Sequence, residues 1–184
     1  KRTIPSAVNL FIPIYEGKPG GSTITQQLIK NLTKDDDFRI DRKIREIFRA
    51  INLEKNYSKE QILEAYLNNI ALGNAQNGVQ SAANLYFNKD VSELTPAECA
   101  SLIAITQNPT KYNPFTNPEN NRERQLMVLR MMHEQQRPDG TPMLTDEEYE
   151  EAVNQEMVFK KEEYTQKRET VQDWFVDTLY EEVI

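Results

Sequence analysis

The sequence predicts an all-α fold, on three observations. Apolar residues recur at three- and four-residue steps, glycine and proline cluster between these periodic segments, and no convincing two-residue alternation appears. Capping-box spacing, which marks helix starts, occurs at Ser58/Gln61, Thr95/Glu98 and Thr145/Glu148. At 184 residues the chain can bury one sizeable core.

The first four predicted helices cover 4–15, 22–33, 41–56 and 59–70. Residues 4–15 are strongly apolar although Pro13 interrupts them, which suits either a core helix or a segment that dips into a membrane. Residues 22–33 follow two glycines, and 59–70 follow the Ser58 signal. The helix over 41–56 has a predicted buried side made of Ile40, Ile44, Ile47, Phe48 and Ile51.

The other predicted helices cover 77–87, 95–106, 118–136, 145–154 and 170–184. Asn77-Gly78, Thr95-Pro96, Asn117-Pro118 and Thr145 mark four of the starts. The stretch 145–170 is strongly acidic, and apolar residues return at helical spacing after it. We therefore predict one domain over 1–140 and an acidic helical linker over 141–184.

Charge is distributed unevenly along the chain. The net charge is −7, which argues against a generic nucleic-acid binder. Residues 1–50 nevertheless carry ten Lys or Arg and six Asp or Glu, so a site for anions is expected there. With a single Cys and a single His, the chain can form neither an internal disulfide nor a usual zinc site.

Two neighbouring segments could carry chemistry. Gly20 to Gln27 joins a glycine turn to hydroxyl and amide side chains at a helix start, where backbone N–H groups favour anionic oxygens. In the next segment, Glu46 lies among the cations Arg39, Arg42, Lys43 and Arg49 at helical spacing. Nearby positive charge favours the carboxylate form, a poor general base but a good metal ligand or charge-orienting group. The simpler alternatives are a helix cap and an exposed ion-pair stripe.

Together these segments resemble the peptidoglycan glycosyltransferase domain of class A penicillin-binding proteins (glycosyltransferase family 51). The resemblance rests on residues 20–31, 42–46, 59–69, 94–98 with 108–114, and 124–129, in the family's order and near its spacing. It implies a lysozyme-like helical transglycosylase fold. It also implies polymerisation of lipid II into glycan strands with release of undecaprenyl pyrophosphate.

The resemblance also implies roles for individual residues. Glu46 matches a catalytic glutamate that assists the leaving group or binds a metal, so Mg or Mn bridging the pyrophosphate is expected. The substrate-binding residues implied are Ser22, Gln26, Gln27, Lys30, Arg39, Arg42, Lys43 and Arg124. The implied partners are lipid II, the nascent glycan chain, the membrane surface and moenomycin-type inhibitors, with no nucleic acid. The implied location is the extracytoplasmic face of the bacterial membrane, with an N-terminal transmembrane anchor in the parent protein.

Some features depart from the family pattern. The first motif, Glu-Asp-x-x-Phe-x-x-His, supplies the general base and does not occur in these residues, so the chain as it stands is expected to be inactive. Pro19 and Asn77 replace the usual Gln and Tyr. The transpeptidase motifs are absent as well, so that domain would have to lie beyond Ile184. The alternatives are a lysozyme-like lytic glycosidase, which has no evident need for a cationic cradle, and a non-catalytic helical module.

Overall fold

The computed structural model describes residues 22–33 and 40–160. Within these ranges the secondary structure is helical, with two isolated β-bridges and no strand. This confirms the all-α prediction. The predicted helices over 4–15 and 170–184 lie outside the described residues.

The described ranges contain seven α-helices and one short 3-10 helix. These are α1 (Ile24–Thr33), α2 (Ile40–Asn56), α3 (Lys59–Asn69), α4 (Val79–Phe87), the 3-10 turn (Val91–Glu93), α5 (Pro96–Gln107), α6 (Pro118–Glu134) and α7 (Asp146–Asn154). The three capping boxes read from the sequence form at the starts of α3, α5 and α7. Each satisfies two backbone N–H groups that the helix itself leaves without partners.

The chain divides into two compact units, and residues 22–33 and 40–70 form the described part of the N-terminal one. Its three helices, α1 to α3, enclose one apolar cluster. The cluster consists of Leu28, Ile29, Leu32, Ala50, Leu53, Ile62 and Ala65, with Tyr57 and Tyr66 packed against it.

The buried side of α2 is not the predicted one. Its apolar stripe is exposed, at Ile44, Ile47, Phe48 and Ile51, and Phe48 is 67% exposed. The core face instead carries Glu46, Ala50 and Leu53. This face can be buried because Ala50 is small, Leu53 is apolar, and Glu46 is compensated by Arg42 and Lys43 on its own helix.

The C-terminal unit comprises the described residues 71–160. Helices α5, α6 and α7 pack around Ala97, Ala100, Val128, Leu129, Leu144 and Ala152. The buried amide of Asn121 fastens α5 to α6, because it accepts from Ser101 Oγ at 2.7 Å and donates to the Tyr112 carbonyl at 2.8 Å. The proposed domain boundary at residue 140 stays a prediction.

No helix in the described ranges combines the length and the hydropathy needed to cross a bilayer.

Candidate functional site

The start of α1 is fixed by a reciprocal pair of hydrogen bonds. Thr23 N–H donates to Gln26 Oε1 at 3.1 Å, and Gln26 N–H donates to Thr23 Oγ1 at 3.2 Å. This is the capping box that the sequence spacing allowed. The Gln26 side chain is therefore held with its oxygen turned back toward the helix start.

The ammonium group of Lys43 joins this helix start to α2. Lys43 Nζ lies 2.9 Å from Ser22 Oγ and 3.4 Å from Gln26 Oε1, and it also donates to Glu46 Oε1. Residues separated by 17 and 21 positions in the sequence thus meet at one cation. Polar groups of the glycine-rich segment and cations of the next segment converge in space.

Glu46 is buried between two cations. Its side chain is 6% exposed, Arg42 Nη1 donates to Oε2 at 2.9 Å, and Lys43 donates to Oε1. A carboxylate that is removed from water needs such partners, whereas an exposed stripe would not. The exposed ion-pair alternative therefore does not describe Glu46, although it does describe the pair of Arg45 with Asp41 on the same helix.

A small pocket opens beside this carboxylate, between α1 and α2. Its walls are Ile29, Lys30, Thr33, Arg42, Arg45, Glu46 and Arg49. Four of these side chains are cationic and one is anionic, so the pocket carries excess positive charge. Cationic walls of this kind raise the local concentration of anions such as phosphates.

Two further contacts connect α1 to its neighbours. Thr25 Oγ1 donates to Glu54 Oε1 on α2 at 2.6 Å, and Tyr66 Oη on α3 donates to Gln27 Oε1 at 3.2 Å. Burial raises the pKa of Tyr66 to about 12, so its hydroxyl keeps its proton at neutral pH. Gln27 is therefore held by α3, while Gln26 is held by α2.

The other two predicted site residues are Arg39 and Arg124. Arg39 lies outside the described residues. Arg124 lies on α6 in the C-terminal unit, where it is 7% exposed and its guanidinium carbon sits 5.4 Å from the centre of the Tyr112 ring. The substrate-binding roles of both stay predictions.

Sequence reasoning missed three contributors to the site. It did not single out Arg45 as a wall of the pocket, although the residue stands inside the quoted motif. It also missed Glu54 and Tyr66, which reach α1 from 29 and 39 positions away. No local spacing signals such contacts, because they arise from the packing of helices.

Comparisons with known proteins identify the family of this chain. A sequence model of the family described as Transglycosylase matches residues 4–133. The chain belongs to the transglycosylase family.

Its relatives are penicillin-binding proteins. The chain is 44% identical over 160 residues to penicillin-binding protein 1A of Aquifex aeolicus (strain VF5). The matched region covers 87% of this chain and 21% of that relative. It is 47% identical over 116 residues to penicillin-binding protein 1F of Bacillus subtilis (strain 168), covering 63% of this chain and 16% of the relative. The resemblance to the transglycosylase domain of class A penicillin-binding proteins is thereby confirmed.

A solved structure supports the fold as well. The crystal structure of penicillin-binding protein 1A from Haemophilus influenzae matches with a TM-score of 0.52 and 28% identity, over 84% of this chain and 18% of that chain. The chain therefore spans about a fifth of the length of the relatives it matches.

Proposed function

We propose that this chain is part of a peptidoglycan glycosyltransferase of bacterial cell-wall synthesis, which polymerises lipid II into glycan strands and releases undecaprenyl pyrophosphate. The observation that carries the proposal is the Lys43 ammonium, which joins Ser22 and Gln26 of the glycine-rich segment to the buried Glu46. Family membership supplies the class of reaction, and the positive charge of the pocket walls complements the negative charge of a diphosphate.

The proposed chemistry explains why cations line the pocket. A hydroxyl of the acceptor sugar attacks the anomeric carbon of the donor, and the bond from that carbon to the pyrophosphate oxygen breaks. Negative charge then builds up on the leaving pyrophosphate, and preorganised cations stabilise it. Lys30, Arg42 and Arg49 would supply this charge from the pocket walls.

Glu46 has a supporting role in this proposal. Both of its oxygens already accept hydrogen bonds from cations, so it is poorly placed to take a proton from the acceptor hydroxyl. It instead fixes Arg42 and Lys43 in the orientation that the diphosphate needs. We propose that another carboxylate, outside the described residues, removes the acceptor's proton.

A divalent cation, Mg or Mn, remains part of the proposal. The described residues contain no group of three or more His, Cys, Asp or Glu side chains that could hold a metal. Magnesium, however, is commonly held by one or two carboxylates together with substrate phosphates. Glu46 would be the carboxylate ligand, and it would have to exchange its contact with Arg42 or Lys43 for the ion. The ion would neutralise charge on the leaving group.

The remaining proposals follow from the substrate. Because lipid II is anchored in a bilayer, we place the protein at the extracytoplasmic membrane surface, with the nascent glycan chain as its second substrate. Phosphoglycolipids of the moenomycin type should occupy the same site, since they present a phosphate and sugars together. The excess of cations favours this function over a lytic glycosidase, whose chemistry depends on carboxyl groups.

The test is lipid II polymerisation by the longest form of the protein that carries this chain. Lys43→Met should lower the rate about 100-fold or more, since it removes the cation that joins Ser22 and Gln26 to Glu46 and so disturbs the preorganised charges of the site. Lys89→Met is the matched control, because Lys89 is 37% exposed and pairs with the buried Glu98, much as the 39%-exposed Lys43 pairs with Glu46. Equal rates for the two variants would contradict the proposed function.

A further inference from the structure

We propose that Tyr66 is a positioning residue that holds the Gln27 side chain with its NH2 group directed at the oxygens of the diphosphate. This inference rests on the proposed function, including its assignment of Gln27 to the substrate, because neither Tyr66 nor Gln27 lines the cationic pocket. Three observations support it.

The first observation is the direction of the hydrogen bond. Tyr66 Oη lies 3.2 Å from Gln27 Oε1. With the amide in this orientation, the phenolic proton has an acceptor. If the amide were flipped, Tyr66 would accept from Nε2, and its own proton would have to turn to solvent instead. The observed orientation is therefore the one that satisfies the half-buried hydroxyl.

The second observation is that the neighbouring amide is oriented in the same way. Gln26 Oε1 accepts from the backbone N–H of Thr23 and from Lys43 Nζ, and both of these groups can only donate. In both glutamines the oxygen is thus engaged by the protein. Among the described residues, the side-chain NH2 groups of Gln26 and Gln27 are therefore the groups left to bind a ligand. Such donors suit anionic oxygens rather than cations.

The third observation is that Tyr66 is well placed to act as a fixed support. Its ring packs against the apolar cluster that α1, α2 and α3 share, and burial raises its pKa to about 12. The hydroxyl therefore keeps its proton at neutral pH, and packing restricts the movement of the ring that carries it. Helix α3 is in turn anchored by the Ser58–Gln61 capping box at its start.

The experiment is a double-mutant cycle on the affinity of the full chain for inorganic pyrophosphate, measured by titration calorimetry. Gln27→Ala should raise the Kd about tenfold, and Tyr66→Phe about threefold to tenfold, as expected for a hydrogen bond to a charged group and for the loss of its support. If Tyr66 acts through Gln27, the double variant should bind like Gln27→Ala alone, within about twofold.

The control is Tyr86→Phe in the C-terminal unit. Tyr86 is also a buried tyrosine with a pKa of about 12, and its hydroxyl donates to the Leu72 carbonyl at 2.8 Å. Removing this hydroxyl should lower the melting temperature and leave the Kd unchanged.

The outcomes separate the two proposals. Wild-type affinity in Tyr66→Phe, or multiplicative losses in the double variant, would overturn the positioning role and leave the proposed function standing. A wild-type chain that does not bind pyrophosphate would overturn the proposed function together with this inference.

Discussion

Replacing Glu46 by glutamine tests whether this residue organises the site. The substitution keeps the size of the side chain but puts an NH2 group where a carboxylate oxygen now accepts from a cation. The new NH2 group then faces either the guanidinium of Arg42, now at 2.9 Å, or the ammonium of Lys43, and neither can accept a hydrogen bond from it. The affected cation must turn away, and the contact of Lys43 with Ser22 and Gln26 should loosen with it.

The expected cost in stability is moderate. Breaking a fully buried ion pair costs about 3–5 kcal/mol when the remaining charge stays buried. Here the remaining charges can return to water, because Arg42 is 19% exposed and Lys43 is 39% exposed. We therefore expect a loss of about 1–2 kcal/mol in the free energy of unfolding, and a melting temperature lower by roughly 2–8 °C. The fold should survive this loss.

The cost in activity should be much larger than the cost in stability. Losing the alignment of the cations should lower the rate of lipid II polymerisation by about 100-fold to 1,000-fold. The assay follows glycan chains in gels, with the longest form of the protein that carries this chain.

Glu98→Gln is the control for this prediction. Glu98 is also 6% exposed, and it accepts from Lys89 at 2.8 and 2.9 Å in the C-terminal unit. Its substitution should lower stability without a comparable loss of rate. Near-normal polymerisation by Glu46→Gln, or equal losses in the two variants, would refute the reasoning.

Three further predictions concern stability. Ala75 has a φ of 58°, a backbone conformation that costs an L-residue about 1–2 kcal/mol. Ala75→Gly should therefore raise the free energy of unfolding, measured in urea, by up to about 1 kcal/mol. The control Ala82→Gly, inside α4, should lower the free energy of unfolding by a similar amount. Burial raises the pKa of Tyr86 to about 12, above the value of 10.0 in the unfolded chain. The unfolded chain therefore loses this proton first, so the free energy of unfolding should fall as the pH rises from 10 to 12. Tyr86→Phe should make that fall shallower in alkaline denaturation curves. A moenomycin-type inhibitor at about 100 times its Kd should add about 2.7 kcal/mol to the free energy of unfolding. In a thermal-shift assay this should raise the melting temperature by roughly 5–10 °C. The absence of any shift would count against binding.

The sequence predicted the positions of the helices well because their ends are encoded locally. Thr95, Pro96 and Glu98 lie within four residues of each other, and together they specify where α5 begins. The same holds for Thr145 and Glu148 at the start of α7. Such signals need no knowledge of the rest of the chain.

The packing of the helices was harder to predict, as α2 shows. Periodicity located its apolar stripe but could not tell which side faces α1. Local spacing does reveal the two cations that allow Glu46 to be buried. It does not reveal that Glu46, rather than Phe48, lies on the core side, because that depends on how α2 packs against the neighbouring helix.

The site itself was predictable only in part. The meeting of Lys43 with Ser22 and Gln26 was expected from the resemblance, and the geometry brings these residues together. The contact of Tyr66 with Gln27 links residues 39 positions apart, so only a three-dimensional structure reveals it.

The side-chain oxygen of Gln26 has a consequence for mutagenesis. It caps α1 through Thr23 and also receives Lys43, so one atom contributes both to helix initiation and to the candidate site. Kinetic defects of a Gln26 variant will therefore combine the effect of a frayed helix end with that of a lost contact to Lys43. Random libraries screened for altered specificity should recover few replacements at this position, because each one must solve two separate geometric problems at once.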